Sequence, residues 1–159
     1  MSEGRSGGQD SRSEEDQASP AAPQPPDGDA YAWYQRGVEL LGNHSPAAAA
    51  QLLERAAGAE PDSRMVREAL ARAQFDAGWY DQAARSFRII VEASPADDYA
   101  HFGLGLALAR LGDPAHAAEY LALAAAMRPD LPHYSSALRE VRATLKARAE
   151  RDGAGEGAS

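Results

Sequence analysis

The chain is 159 residues long, 44% hydrophobic, 25% charged and free of cysteine, and its formal net charge is −8. That length admits one ordinary soluble domain with flanking segments. The missing cysteines exclude a disulfide scaffold, thiol catalysis and cysteine-ligated zinc, and the net acidity speaks against a surface that tracks nucleic-acid phosphates.

Residues 1–29 contain no Leu, Ile, Val, Phe, Tyr or Trp, and their acids outnumber the two bases, Arg5 and Arg12. Such a stretch cannot bury enough surface to order itself, and Pro20, Pro23, Pro25 and Pro26 favour extended conformations, so an acidic solvated arm is expected. It has no apolar core of a secretory leader, and no window of the chain approaches the roughly 18 uncharged apolar residues of a membrane span. The cytoplasm is the expected compartment, with no membrane and no nucleic acid among the partners. The glycine-rich residues 151–159 read as a second disordered tail, which leaves 30–150 as the folded part.

Within 30–150 alanine and leucine dominate the apolar share, which favours helices over sheet. The segment repeats itself every 34 residues. Pro61, Pro95 and Pro129 share one column, Ala49, Ala83 and Ala117 a second, Leu53, Phe87 and Leu121 a third, and Gly37, Ala71 and Gly105 a fourth. Each unit (30–63, 64–97 and 98–131) reads as two amphipathic helices joined by a turn and closed by a proline. Ser45-Pro46 and Asp113-Pro114 place a capping side chain before a proline at the first helical position. Asp29, Ser63 and Asp97 or Asp98 are candidate caps for the first helices, and Gly42, Gly78 and Gly112 are candidate left-handed residues at their ends. The small residues at the Gly37 and Ala49 columns are expected where paired helices cross. Residues 132–150 carry Tyr134, Leu138, Val141 and Leu145 on one face and Arg139, Arg142, Lys146 and Arg148 on the other, the pattern of a capping helix.

These columns resemble the tetratricopeptide repeat, whose 34-residue pattern is Trp-x2-Leu-Gly-x2-Tyr, then Ala-x3-Phe, then Pro. Trp33, Gly37, Leu40, Ala49, Leu53 and Pro61 carry it in the first unit, Leu70, Ala71, Ala83, Phe87 and Pro95 in the second, and Leu104, Gly105, Leu108, Gly112, Ala117, Leu121 and Pro129 in the third. Arg36, Arg67, His101 and Gln74 depart from it. The resemblance implies an all-α fold, a right-handed α-α superhelix of three helix-turn-helix units and a capping helix. It also implies a concave surface lined by the first helix of each pair. There it places Tyr31, Tyr34 and Val38 from the first unit, Met65, Glu68, Arg72 and Asp76 from the second, and Tyr99, Phe102, Leu106 and Arg110 from the third. His133, Ser136 and Glu140 follow on the capping helix.

In chaperone co-factors of this family a clamp of Lys, Asn and Arg holds a peptide's C-terminal carboxylates. The corresponding positions here are Tyr34, Val38, Arg72, Tyr99 and Gly103, so a receptor of that kind is not expected. The implied function is a non-catalytic adaptor, assembly factor or regulatory subunit that buries a peptide or protein segment in an apolar and aromatic groove of nearly balanced charge. The alternative is a homo-oligomer that forms through the same surface. No cofactor and no metal are expected, because His44, His101, His116 and His133 lack partners at ligand spacing. Asp98 and His101, one helical turn apart, are candidates for a surface hydrogen bond rather than for catalysis.

Overall fold

The computed structural model describes residues 26–157. Most of the expected acidic arm, and the last two residues, lie outside the described residues. Among the described residues seven helices follow one another: α1 Pro26–Gly42, α2 Pro46–Ala59, α3 Arg64–Asp76, α4 Tyr80–Ala93, α5 Asp98–Arg110, α6 Pro114–Met127 and α7 Pro132–Gly157. No strand occurs among the described residues.

The helix starts follow local chemistry. Ser63 Oγ accepts from the Val66 N–H, Asp97 Oδ1 from Ala100 and Asp113 Oδ1 from His116, so three helices begin on a side-chain cap. Of the two candidates at the start of α5 it is Asp97, not Asp98, that caps. Ser45 makes no side-chain cap bond, and Pro46 alone marks the start of α2. Asp29 is no cap either, because α1 begins at Pro26, where a proline's fixed φ and missing N–H suit a first helical position.

The ends of the first helices close on left-handed residues at Gly78 (φ 82°) and Gly112 (φ 84°). In the first pair that residue is His44 (φ 59°) and not Gly42, which is the last residue of α1. His44 stands 34 residues before Gly78, and the hydrogen bonds agree: Ser45 N–H donates to Leu40 O, Trp79 N–H to Gln74 O and Asp113 N–H to Leu108 O.

The small-residue columns lie where paired helices cross. Ala49, Ala71, Ala83 and Ala117 are fully buried, and a Cβ on Gly37 would fall 2.5 Å from Leu53 Cγ. One core cluster joins Ala49, Leu53, Val66 and Leu70; a second runs from Ala71 through Phe87, Leu104 and Leu121 to Leu138 and Val141. Each helix packs on the next in sequence, and α1 also touches α3, α3 touches α5 and α5 touches α7, whereas α2, α4 and α6 do not touch one another. The first helices therefore draw together on the inside while the second helices splay. The result is a right-handed superhelix with α1, α3 and α5 on its concave side.

Helix α7 runs seven residues beyond the expected 150. Only Tyr134, Leu138 and Val141 are buried, all near its start, and every described residue from Lys146 on is exposed. No proline or left-handed residue stops the helix, and extending a formed helix needs no new nucleus. The departures from the repeat pattern are absorbed locally. His101 is buried with Nδ1 2.9 Å from Asp97 O, so it does not pair with the Asp98 side chain. Ser86 Oγ donates to the buried Gln74 Oε1 at 2.7 Å.

Candidate functional site

Three adjoining clefts form a trough along the concave side. The first, about 170 Å³, lies between Tyr31 and Tyr34 of α1, Met65 and Val66 of α3 and the loop bearing Glu60 and Ser63. A second of about 430 Å³ is lined by Tyr34, Val38, Leu41, Met65, Glu68, Ala69, Arg72 and Tyr99. The third, about 180 Å³, is formed by Arg72, Phe75, Asp76, Phe87, Tyr99, Phe102, Gly103 and Leu106. Tyr34 and Met65 belong to the first two clefts, and Arg72 and Tyr99 to the last two, so the lining is continuous.

Helical period explains the set. Tyr31, Tyr34 and Val38 are spaced 3 and 4 apart on α1; Met65, Glu68, Arg72 and Asp76 on α3 and Tyr99, Phe102 and Leu106 on α5 keep the same rhythm. The structure thus brings ten of the eleven expected residues into one trough. None is buried: Tyr31 is 59% exposed, Met65 54% and Val38 41%, which is unusual for large apolar side chains. Arg110 is placed differently. Its Nη1 donates to Tyr80 Oη at 2.8 Å, and its guanidinium lies over the rings of Phe75 and Tyr80.

At the far end Phe102 stacks on Tyr134 with ring centroids 4.5 Å apart and meets the edge of His133 at 5.3 Å. Tyr134 Oη donates to Asp98 Oδ2 at 2.7 Å, which ties the start of α7 to the start of α5. His133 thus contributes to the end wall. Ser136 instead accepts a hydrogen bond from Arg139 on its own helix.

Two acids outside the lining, Asp97 and Asp98, lie close enough for their charges to act on Glu68. Their signal was their place at the start of α5, but their approach to Glu68, some thirty residues earlier, exists only in the fold. Burial, reinforced by the charges of Asp97 and Asp98, pushes the Glu68 carboxyl above the usual range, and Arg64 only partly offsets it. Arg64 itself pairs with Asp97 at 3.3 Å, and Arg72 lies 3.9 Å from Asp76. Burial likewise raises the Tyr99 phenol.

A wider cleft of about 700 Å³ opens on the other side, where α2 and α4 splay apart. Its floor of Gln74 and Ser86 is hydrogen-bonded to itself, and its lining holds no aromatic residue. No group of three or more His, Cys, Asp or Glu among the described residues is arranged to hold a metal ion. No helix among them is long and apolar enough to cross a membrane.

Antiparallel helix pairs in a curved stack, with an accessible trough on the first helices, define a helical-repeat protein of the solenoid class. The tetratricopeptide repeat model matches residues 34–80 and again 68–132, and the chain belongs to that family. No curated protein matches it in sequence. Among solved structures it is similar to MamA, residues 41 to the end, from Desulfovibrio magneticus RS-1, with a TM-score of 0.71 and 22% identity over 78% of this chain and 72% of that one. It is also similar to the first tetratricopeptide domain of Spaghetti (RPAP3), solved with the HSP90 peptide SRMEEVD, with a TM-score of 0.69 and 16% identity over 74% of this chain and 93% of that one. A third is YrrB, described as a tetratricopeptide protein with an unusual peptide-binding site, with a TM-score of 0.66 and 23% identity. The match covers 69% of this chain and 57% of YrrB. At these identities the likeness is one of fold.

Proposed function

We propose that the protein is a non-catalytic interaction module, an adaptor, assembly factor or regulatory subunit, that holds a peptide or protein segment in its concave trough. The observation that carries this is the continuous run of accessible side chains from Tyr31 through Met65 and Tyr99 to Leu106 across three helices. A monomer gains nothing in stability by keeping such groups in water, and aromatic anchors of this kind dominate binding energy. Fold-mates that hold peptides lend the reading further support. No reaction is assigned, and a cytoplasmic location belongs to the same reading.

The test is affinity capture from the source cell's lysate with the intact protein beside a Tyr31→Ala, Met65→Ala double variant. Both side chains are more than half exposed, so the variant keeps its helical circular dichroism. Partners lost by the variant establish trough-mediated capture; identical partner lists overturn it. A second reading, self-association, rests on the exposed Ile89, Leu111 and Leu123 outside the trough. Light scattering over a dilution series decides it, with a concentration-independent monomer ruling it out.

A further inference from the structure

We infer that the middle cleft of the trough receives a lysine or arginine side chain of the partner segment, next to one of its apolar side chains. The inference rests on the reading of the trough as the partner-binding surface and narrows the class of partner to a basic, partly apolar segment.

Glu68 is the centre of the argument. It lines the 430 Å³ cleft together with Tyr34, Met65 and Tyr99, and it is half-buried. Its carboxylate takes no hydrogen bond or ion pair from any described residue. The nearby acids are occupied: Asp97 holds Arg64 at 3.3 Å with its side chain only 7% exposed, and Asp98 accepts from Tyr134 Oη at 2.7 Å. Arg72, on the same lining, faces Asp76 at 3.9 Å. Of the three carboxylates of Glu68, Asp97 and Asp98, that of Glu68 is the one with neither a hydrogen bond nor an ion pair, and Arg64, held by Asp97, acts on it only from a longer range. The upward displacement of its proton affinity by burial and by both aspartates is the same imbalance in another measure.

A partly desolvated carboxylate without a partner is costly, and a cation that arrives with its own hydrogen bonds relieves it. Lysine and arginine fit the cleft in both parts. Their alkyl stems lie along apolar walls such as Met65 and the tyrosine rings, and their heads attract aromatic faces and carboxylates alike. An acidic occupant is repelled by the Glu68 carboxylate, which disfavours a carboxylate-terminated peptide and also the acidic residues 1–25 of this chain.

The experiment selects a random-peptide phage library on the immobilised full-length chain, then measures synthetic copies of the enriched peptides by fluorescence polarisation. The wild type is compared with Glu68→Gln, which keeps the shape of the side chain, and with the Tyr31→Ala, Met65→Ala variant. Enriched peptides are expected to carry Lys or Arg beside an apolar residue and to bind Glu68→Gln about tenfold or more weakly. Acidic or neutral peptides, or basic ones indifferent to Glu68→Gln, overturn the inference; if they still need Tyr31 and Met65, the trough reading survives. Peptides indifferent to all three positions, or no enrichment, overturn both. A chain that scatters light as a dimer and becomes monomeric as Glu68→Gln gives the cleft to a second copy and overturns the foreign partner.

Discussion

Gly105 of α5 lies against Leu121 of α6 so closely that a Cβ there would sit 2.7 Å from Leu121 Cγ and 3.2 Å from the Ala117 carbonyl oxygen. The contacts are a branched carbon and a backbone atom, neither of which yields as a flexible chain end does.

Gly105→Ala therefore destabilises the protein, although glycine to alanine inside an exposed helix is stabilising by about 1 kcal/mol. Overpacking at this crossing costs about 1–3 kcal/mol. Urea denaturation checks it: the midpoint falls with the slope unchanged.

At the first turn the opposite outcome is expected. His44 holds a left-handed backbone that Gly78 and Gly112 hold in the later pairs, so His44→Gly removes strain of about 1 kcal/mol, less the entropy glycine loses on folding. The melting temperature rises, while Gly42→Ala, at the last residue of α1 with nothing within 4 Å of its Cβ, is stabilising through helix propensity alone.

Asp113 gives a pH-dependent prediction. The His116 backbone N–H, and then its side chain, hold the Asp113 carboxyl below the usual range of 3.8. A depressed folded value contributes stability above the unfolded pKa and loses it as pH falls through the folded one. Asp113→Ala costs about 1 kcal/mol at neutral pH. The gap between the two proteins closes in acid denaturation series carried below pH of about 4.

Glu68 titrates in the other sense. Its raised folded value makes its contribution fully present below 4.5, and that contribution is lost as pH rises through the displaced value. Glu68→Gln therefore raises the melting temperature at neutral pH, and the gain shrinks as the pH is lowered toward the ordinary carboxylate value. A variant that is more stable yet binds basic peptides less well is the signature of a residue kept for binding. A Glu68→Gln protein with a lowered melting temperature contradicts this.

The helix pairs were legible because they rest on steric rules that act within one unit: proline at helix starts, small residues at crossings, and apolar residues at helical period. The ends of the fold were read less well. Composition hid the continuation of α7 into 151–157, and the nearby Gly42 drew attention from His44, whose role shows only in the 34-residue register. The residues expected in the trough came from the family resemblance read with helical period, which gave no sign that Asp97 and Asp98 act on Glu68 across helices. Arg110 has the right spacing for the trough, yet Tyr80 from the preceding helix claims it first. Periodicity gives direction around a helix and says nothing of neighbours thirty residues away.

Helix α3 sits in both halves of the core, giving Val66, Leu70 and Ala73 to one cluster and Ala71 to the other. It is the hinge-pin of cooperativity: neither half can melt without stripping one side of it. A ligand that spans Tyr34 and Tyr99 across this helix clamps both halves at once, so occupancy should be readable as slowed amide exchange in α3, far from the ends where fraying begins.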